Sequence, residues 1–204
     1  EIGNGSLGLC LEVSRVADIK RYHAFAENVK PTVFCFTFEI GASPSSDKDS
    51  AKTFSVSTAE DLRWQRCHIK STALLGNVLH FQYGHETGDD ETILYNDRHE
   101  LTEAAACNVF IVKNRVISTP PLDNQLLPGI TRNLLIDILK KHSNLDIQER
   151  VVHMNEVNNA DEIWITSSTK AIGPVIKIAG RPVGKGMIGD PSAEAQHPLT
   201  KHTY

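Results

Sequence analysis

Residues 63–72 read RWQRCHIKST and bring one lysine, Lys70, to the point where a helical pattern begins. Ser71 is a suitable N-cap, and the apolar spacing that follows it predicts an amphipathic helix. The residues that carry this pattern are Leu74, Leu75, Val78 and Leu79. Between Ile69 and a helix start, burial would make the lysine amine a nucleophile, whereas an ordinary surface lysine would only be a solvated charge.

The rest of the chain predicts more strands than helices. β-Branched and aromatic runs predict strands at residues 7–14, 32–39, 53–57, 92–95, 108–112, 115–119, 162–166 and 175–178. Lys113 and Asn114 form the turn of a predicted hairpin. Few of these strands alternate strictly with helices, so the pattern favours a mixed α+β domain over a doubly wound parallel sheet.

The C-terminal half adds one more predicted helix and an irregular tail. Thr131 can cap a helix whose apolar face consists of Leu134, Leu135, Ile138 and Leu139. Residues 190–204 contain Pro191, Pro198 and few apolar side chains, so we expect this tail to be loosely structured.

A change in composition divides the chain into two parts. Residues 41–50 read GASPSSDKDS and offer almost nothing to a hydrophobic core. We therefore predict a linker at residues 43–52, which separates a domain at residues 53–204 from a shorter segment at residues 1–42.

Charge and cysteine usage restrict the functional class. A formal net charge of −4 gives no electrostatic reason to expect nucleic acid or a membrane surface as partner. The N-terminal residues show no targeting signal, and the nine histidines show no metal-binding spacing. The four cysteines are far apart, and three lie in apolar or strand-like runs, which predicts buried thiols in a reducing cytoplasm.

Three further segments supply groups that, together with Lys70, could hold pyridoxal phosphate. Residues 101–110 read LTEAAACNVF, where Glu103 stands beside small residues that permit a flat ring to approach. Gly129, Ile130 and Thr131 open the second helix, whose N–H groups attract phosphate. Residues 166–169 read TSST and offer a second cluster of hydroxyls. Taken singly, these segments equally fit a turn acid, a common helix start and a hydroxyl-rich turn.

Arg21 and His23 are two cationic side chains separated by one residue. In an extended stretch both would point to the same face and could converge on a carboxylate. The alternative is a basic surface loop.

Residues 61–78, 101–110, 127–135 and 162–175 together closely resemble the class IV aminotransferases, which are fold-type IV pyridoxal-phosphate enzymes. The resemblance extends to about Gly189. It implies a large mixed α/β pseudo-barrel domain preceded by the remainder of a smaller α/β domain at residues 1–42. It also implies a cytoplasmic homodimer that takes small amino acids and 2-oxo acids as substrates.

The resemblance assigns roles residue by residue. Lys70 matches the lysine that forms an imine with the cofactor, and Glu103 matches the partner of the pyridine nitrogen. The other matching cofactor positions are Leu127, which packs on the ring, and Ile130, Thr131, Ser167 and Ser168, which hold the phosphate. Arg21 and His23 match a signature that binds the substrate α-carboxylate across the dimer interface in members acting on D-amino acids.

The sequence departs from the family pattern in three places. Ala105, Ala106 and Cys107 stand where the D-specific members carry serines, and the stretch after Gly189 differs from the usual ending. The family carries a further N-terminal portion, with an arginine that clamps the phosphate, ahead of the point that matches Glu1.

The implied activity is transamination between D-amino acids, such as D-alanine, and 2-oxo acids. The alternatives within the family are a branched-chain L-amino-acid aminotransferase and an aminodeoxychorismate lyase. A third possibility, from another class, is a cofactor-poor chain that folds and associates without catalysis.

Overall fold

A computed structural model describes residues 7–15, 23–25, 27–41 and 50–203 of the chain. The chain divides into two compact units, Glu1–Ser43 and Pro44–Tyr204. In the first unit, β1 (Leu7–Ser14) and β2 (Thr32–Glu39) are strands, as the sequence predicts, and they form an antiparallel pair.

The described residues of the second unit form a nine-stranded mixed sheet and four helices, which confirms the predicted α+β class. Its strands are β3 (Phe54–Glu60), β4 (Glu91–Tyr95), β5 (Leu101–Ala104), β6 (Asn108–Lys113), β7 (Val116–Thr119), β8 (Asp146–Glu149), β9 (Glu162–Ser167), β10 (Ala171–Ile178) and β11 (Arg181–Pro182). Its helices are α1 (Leu75–Glu86), α2 (Ile130–His142), α3 (Met154–Asn158) and α4 (Asp190–Thr203). The strand order is β5-β4-β3-β10-β9-β6-β7-β8, and β11 pairs with β10.

The central strands β6 and β9 are buried on both faces. In β6, Val109 and Ile111 belong to one hydrophobic cluster, while Phe110 and Val112 belong to another that includes residues of α2 and α4. Successive side chains of a strand point to opposite faces, so a strand buried on both faces reads as a continuous apolar run. Asn108 opens β6 on the same face as Phe110, which is the face covered by α2.

The α1 helix differs from the prediction. It begins at Leu75 rather than after Ser71, and its N-cap is Leu74. The four residues of the predicted apolar face are all exposed, and the buried residues of this helix are His80 and Gly84. The periodicity therefore describes an apolar surface rather than a contact with the core.

The C-terminal tail also differs from the prediction, because it forms the helix α4, which includes Pro198. Leu199 is 1% exposed and packs in the same cluster as α2. The backbone N–H of Ser192 donates to Oε2 of Glu162 at 3.1 Å, so a carboxylate of β9 accepts a hydrogen bond from the first turn of this helix. Tertiary packing outweighs the low intrinsic helix propensity of this segment.

Three smaller predictions need correction. The hairpin turn lies at Asn114 and Arg115, one residue later than predicted, and both residues have positive φ, as a type I′ turn requires. The α2 helix begins at Ile130 with Gly129 as its N-cap, so Thr131 is a helical residue and not the cap. All four cysteines are free, but only Cys107 is buried.

Candidate functional site

Arg63, in the loop after β3, is buried between two carboxylates. Its Nη1 donates to Oε1 of Glu103 at 2.5 Å, while Nη2 and Nε donate to the two oxygens of Asp61 at 2.7 and 2.9 Å. The hydroxyl of Thr102 donates to Oδ2 of Asp61 at 2.8 Å. We call Asp61, Arg63, Thr102 and Glu103 the Arg63 cluster. A guanidinium that bonds one carboxylate through two nitrogens is fixed in orientation as well as in charge.

Glu103 keeps one acceptor position for another group. Its second oxygen, Oε2, accepts hydrogen bonds from Nδ2 of Asn108 and from the backbone N–H of Leu127, both at 3.1 Å. Together with Arg63, these donors occupy three of the roughly four lone-pair positions of a carboxylate. The residue is 5% exposed, so a ligand would complete its coordination more readily than bulk water.

Glu103 can gain or lose its proton near neutral pH. Burial raises its pKa to about 7, although the charge of Arg63 and the N–H of Leu127 act in the opposite direction. Burial also acts to raise the pKa of Asp61, but the bonds and charge of Arg63 keep that pKa below its ordinary value. Glu103 is therefore the carboxyl of this cluster that can change protonation state near pH 7.

Asn108 joins Glu103 to the start of α2. Its Nδ2 also donates to the backbone carbonyl of Leu127 at 2.8 Å, and a Cβ placed on Gly129 would overlap its Oδ1. Gly129 caps α2 without a side-chain hydrogen bond. The first N–H groups of this helix, at Ile130 and Thr131, are thus offered to an outside acceptor, and a helix start attracts an anion.

The end of β9 lies next to Asn108. Thr166 pairs with Asn108 across the β6–β9 ladder, so the two side chains share one face of the sheet. The Oγ1 of Thr166 is buried and has no hydrogen-bond partner among the residues that the structure describes. Ser167 follows, and its hydroxyl accepts the N–H of Lys170 at 3.2 Å, while Ser168 is exposed.

Lys70 lies in an irregular loop between β3 and α1. The sequence predicts a buried amine beside a helix cap, but Lys70 is exposed and lies five residues before the helix. Both sides of the loop are held in place. The N–H of Cys67 donates to the carbonyl of Asn124 at 2.8 Å, and Nδ2 of Asn77 donates to the carbonyl of Ala105 at 2.8 Å.

The structure thus gathers most of the predicted cofactor residues at one end of the β6–β9 pair. Glu103 and Leu127 are hydrogen-bonded, Ile130 and Thr131 open the adjacent helix, and Ser167 and Ser168 follow Thr166. Among the described residues, no hydrogen bond joins Lys70 to this group. His23 is exposed and belongs to the first unit, and Arg21 lies outside the described residues.

These residues fit pyridoxal phosphate. The remaining acceptor position of Glu103 suits a protonated ring nitrogen, while the uncapped start of α2 and the unpartnered Thr166 hydroxyl suit phosphate oxygens. Within the described part of the chain, no group of His, Cys, Asp and Glu side chains could hold a metal ion. No helix in that part is long and apolar enough to cross a membrane.

Sequence reasoning missed three residues of this site: Asp61, Arg63 and Asn108. Arg63 stands in the stretch around Lys70, but its partner Glu103 is 40 residues away, and no local pattern connects them. A signal did exist for Asn108, because it is the polar residue that opens an otherwise apolar buried strand.

The chain belongs to the class IV amino-transferases, since residues 3–178 match that family. The D-alanine aminotransferase of Bacillus licheniformis is 36% identical over 195 residues, which are 96% of this chain and 64% of that protein. The D-alanine aminotransferase of Staphylococcus haemolyticus is 33% identical over 183 residues, which cover 89% and 63% of the two chains. This chain therefore spans just under two thirds of the length of these relatives.

A solved structure has the same fold. It is the branched-chain amino acid aminotransferase of Thermobaculum terrenum in its PLP form, with a TM-score of 0.84 over 96% of this chain and 63% of that one. The sequences are 18% identical, so this likeness concerns the fold alone. It confirms the predicted fold-type IV architecture.

Proposed function

We propose that this chain is part of a pyridoxal-phosphate-dependent transaminase that exchanges amino groups between D-amino acids, such as D-alanine, and 2-oxo acids. The observation that supports this cofactor most strongly concerns Glu103. It is a buried carboxylate that accepts hydrogen bonds from three donors and keeps one acceptor position. The D-alanine aminotransferases at 36% and 33% identity support the choice of substrate.

Each predicted residue has a role in this proposal. Glu103 holds a proton on the ring nitrogen, and Leu127 packs against the ring. The phosphate is held by Ile130 and Thr131 at the start of α2 and by the hydroxyls of Ser167 and Ser168. These contacts fix the position of the cofactor relative to the loop that carries Lys70.

Lys70 attaches the cofactor covalently and then moves a proton. When bound, the cofactor supplies an electron sink that acidifies the substrate α-carbon. The amine of Lys70, released from its attachment, would take the proton from the α-carbon as a general base. As a general acid it would then deliver that proton to the cofactor carbon and not back to the α-carbon. The exposure of Lys70 and its irregular backbone leave the side chain free to make both movements.

Substrate binding and assembly complete the proposal. Arg21 and His23 bind the α-carboxylate from the neighbouring subunit of a homodimer. The surface that we assign to the dimer contact is the exposed apolar face of α1 and its preceding loop, namely Ile69, Leu74, Leu75, Val78 and Leu79. The four free cysteines support a reducing, cytoplasmic location.

The test is a comparison of substrates with the purified protein and added cofactor. Pyruvate formation from D-alanine and 2-oxoglutarate should exceed turnover of L-valine by at least about tenfold in kcat/KM. Lys70→Ala should abolish the reaction, whereas Lys177→Ala, which removes an exposed lysine of β10, should preserve it.

The other outcomes identify the alternatives. A preference for L-valine would indicate a branched-chain aminotransferase, and pyruvate release from aminodeoxychorismate would indicate a lyase. A protein that neither turns over these substrates nor absorbs light as a cofactor complex would be the non-catalytic chain.

A further inference from the structure

Asp61 has no assigned role, yet it accepts more hydrogen bonds from the Arg63 guanidinium than Glu103 does. Two guanidinium nitrogens bond the two oxygens of Asp61, whereas one nitrogen bonds Glu103. Asp61 is itself held by the hydroxyl of Thr102, and the backbone N–H of Arg63 donates to its Oδ1 at 3.1 Å. The orientation of Arg63 is therefore set mainly by Asp61.

The charges of this arrangement do not cancel. Two carboxylates face one guanidinium, and the side chains of Arg63 and Glu103 are 2% and 7% exposed, so water screens these charges weakly. If Arg63 faced Glu103 alone, the buried ion pair would be neutral, and its attraction for a cationic ring nitrogen would be small. With Asp61 present, one negative charge remains in excess.

We propose that Asp61 is a positioning residue for the ring-nitrogen partner. By engaging Arg63 through both oxygens, it leaves Glu103 with an uncompensated charge and so sets the proton affinity of Glu103 and, through it, of the cofactor nitrogen. This inference rests on the proposed function for the cofactor and extends it to a residue that does not touch the cofactor.

His80 and Cys67 are titratable side chains whose pKa is affected by charges of this cluster. His80 of α1 accepts the N–H of Leu62 through Nε2 at 3.2 Å, so that nitrogen carries no proton. Cys67 has its pKa raised by burial and is a neutral thiol near pH 7. From β6 comes Asn108, which is uncharged. The excess charge thus depends on Asp61.

The first test uses the cofactor-free chain and follows the carboxyl carbon of Glu103 by NMR as pH is varied. Asp61→Asn should lower the titration midpoint of Glu103 by about one unit or more, a tenfold change in proton binding, because Arg63 is then less compensated. Asp97→Asn removes an exposed acid and should leave the midpoint within about 0.3 units. An unchanged midpoint in Asp61→Asn would overturn the proposal.

Thr102→Val distinguishes a structural role of Asp61 from an electrostatic one. It removes a hydrogen bond to Asp61 but keeps the charges of Asp61, Arg63 and Glu103. This variant should leave the Glu103 midpoint close to that of the wild type, and a shift as large as that of Asp61→Asn would contradict the electrostatic role. If Asp61→Asn does not fold, the titration of Asp61 in the wild-type protein still tests the proposal. Asp61 must stay ionised over the range in which Glu103 titrates, and protonation of Asp61 in that range overturns the proposal.

The second test loads the protein with pyridoxal phosphate labelled with nitrogen-15 in the ring. The ring nitrogen should lose its proton at a pH at least about one unit lower in Asp61→Asn than in the wild type, and equal values would overturn the link to the cofactor. A protein that takes up no cofactor contradicts the proposed function instead. The cofactor-free titration decides the role of Asp61 in either case.

Discussion

Replacing Gly129 with alanine should destabilise the second unit through Asn108. The backbone at Gly129, with φ −62° and ψ 136°, is one that alanine adopts without strain. The added Cβ would instead overlap Oδ1 of Asn108 and come within 3.3 Å of its Cγ. Asn108 must then move, and both hydrogen bonds of its Nδ2 are affected.

The magnitude follows from those two bonds. One bond, to Oε2 of Glu103 at 3.1 Å, has a charged acceptor when Glu103 is ionised, above a pH of about 7, and then contributes about 1.5–3 kcal/mol. The other, to the carbonyl of Leu127 at 2.8 Å, is neutral and contributes about 0.5–1.5 kcal/mol. We therefore expect Gly129→Ala to lower the free energy of unfolding by about 2–4 kcal/mol, measured by urea denaturation followed by circular dichroism.

A double-mutant cycle tests the mechanism of this loss. In an Asn108→Ala background the overlapping atom is absent, so Gly129→Ala should cost less than about 0.5 kcal/mol. Gly41→Ala is the matched control, because a Cβ there meets no atom within 4 Å. If Gly129→Ala costs as much in the Asn108→Ala background as in the wild type, the reasoning is refuted.

Three further predictions concern charge, assembly and packing. Because burial raises the pKa of Glu103 from 4.5 to about 7, its contribution to stability is complete below pH 4.5 and falls by about 3 kcal/mol as the pH rises through 7. Urea titrations across this range should show that loss in the wild type but not in Glu103→Gln. Val78→Asp, on the exposed face of α1, should weaken the proposed dimer at least about tenfold in sedimentation equilibrium, and an unchanged association constant would remove this face from the interface. Leu199→Ala should cost about 2–5 kcal/mol in urea denaturation because its side chain is 1% exposed, and a negligible cost would mean that α4 does not dock as described.

The sequence predicts this fold well where the local pattern and the tertiary environment agree. Residues 109–112 are all apolar because β6 is buried on both faces, and the sequence predicts a strand at 108–112. The sequence also predicts the apolar periodicity of α1, but periodicity does not reveal what covers an apolar face. Here that face is exposed, and only the three-dimensional structure separates a surface from a core contact.

The sequence predicts several residues of the candidate site but not the hydrogen bonds that join them. Glu103, Ile130 and Thr131 were identified from local motifs and the family resemblance, and the structure brings their segments together. The bonds that fix Glu103 come from Arg63, Asn108 and Leu127, which lie 40, 5 and 24 residues away along the chain. Such contacts depend on how β5, β6 and the loop after β3 pack together in the folded protein. No periodicity in the sequence predicts that packing.

The measurement that tests the central claim most directly is the position of covalent cofactor attachment. The purified protein is incubated with pyridoxal phosphate, reduced with borohydride, digested and mapped by mass spectrometry. We predict a single pyridoxyl group on Lys70, and we predict that Lys70→Ala prevents the label while Lys177→Ala does not. A label on another lysine, such as Lys170, or equal labelling of many lysines would contradict the account.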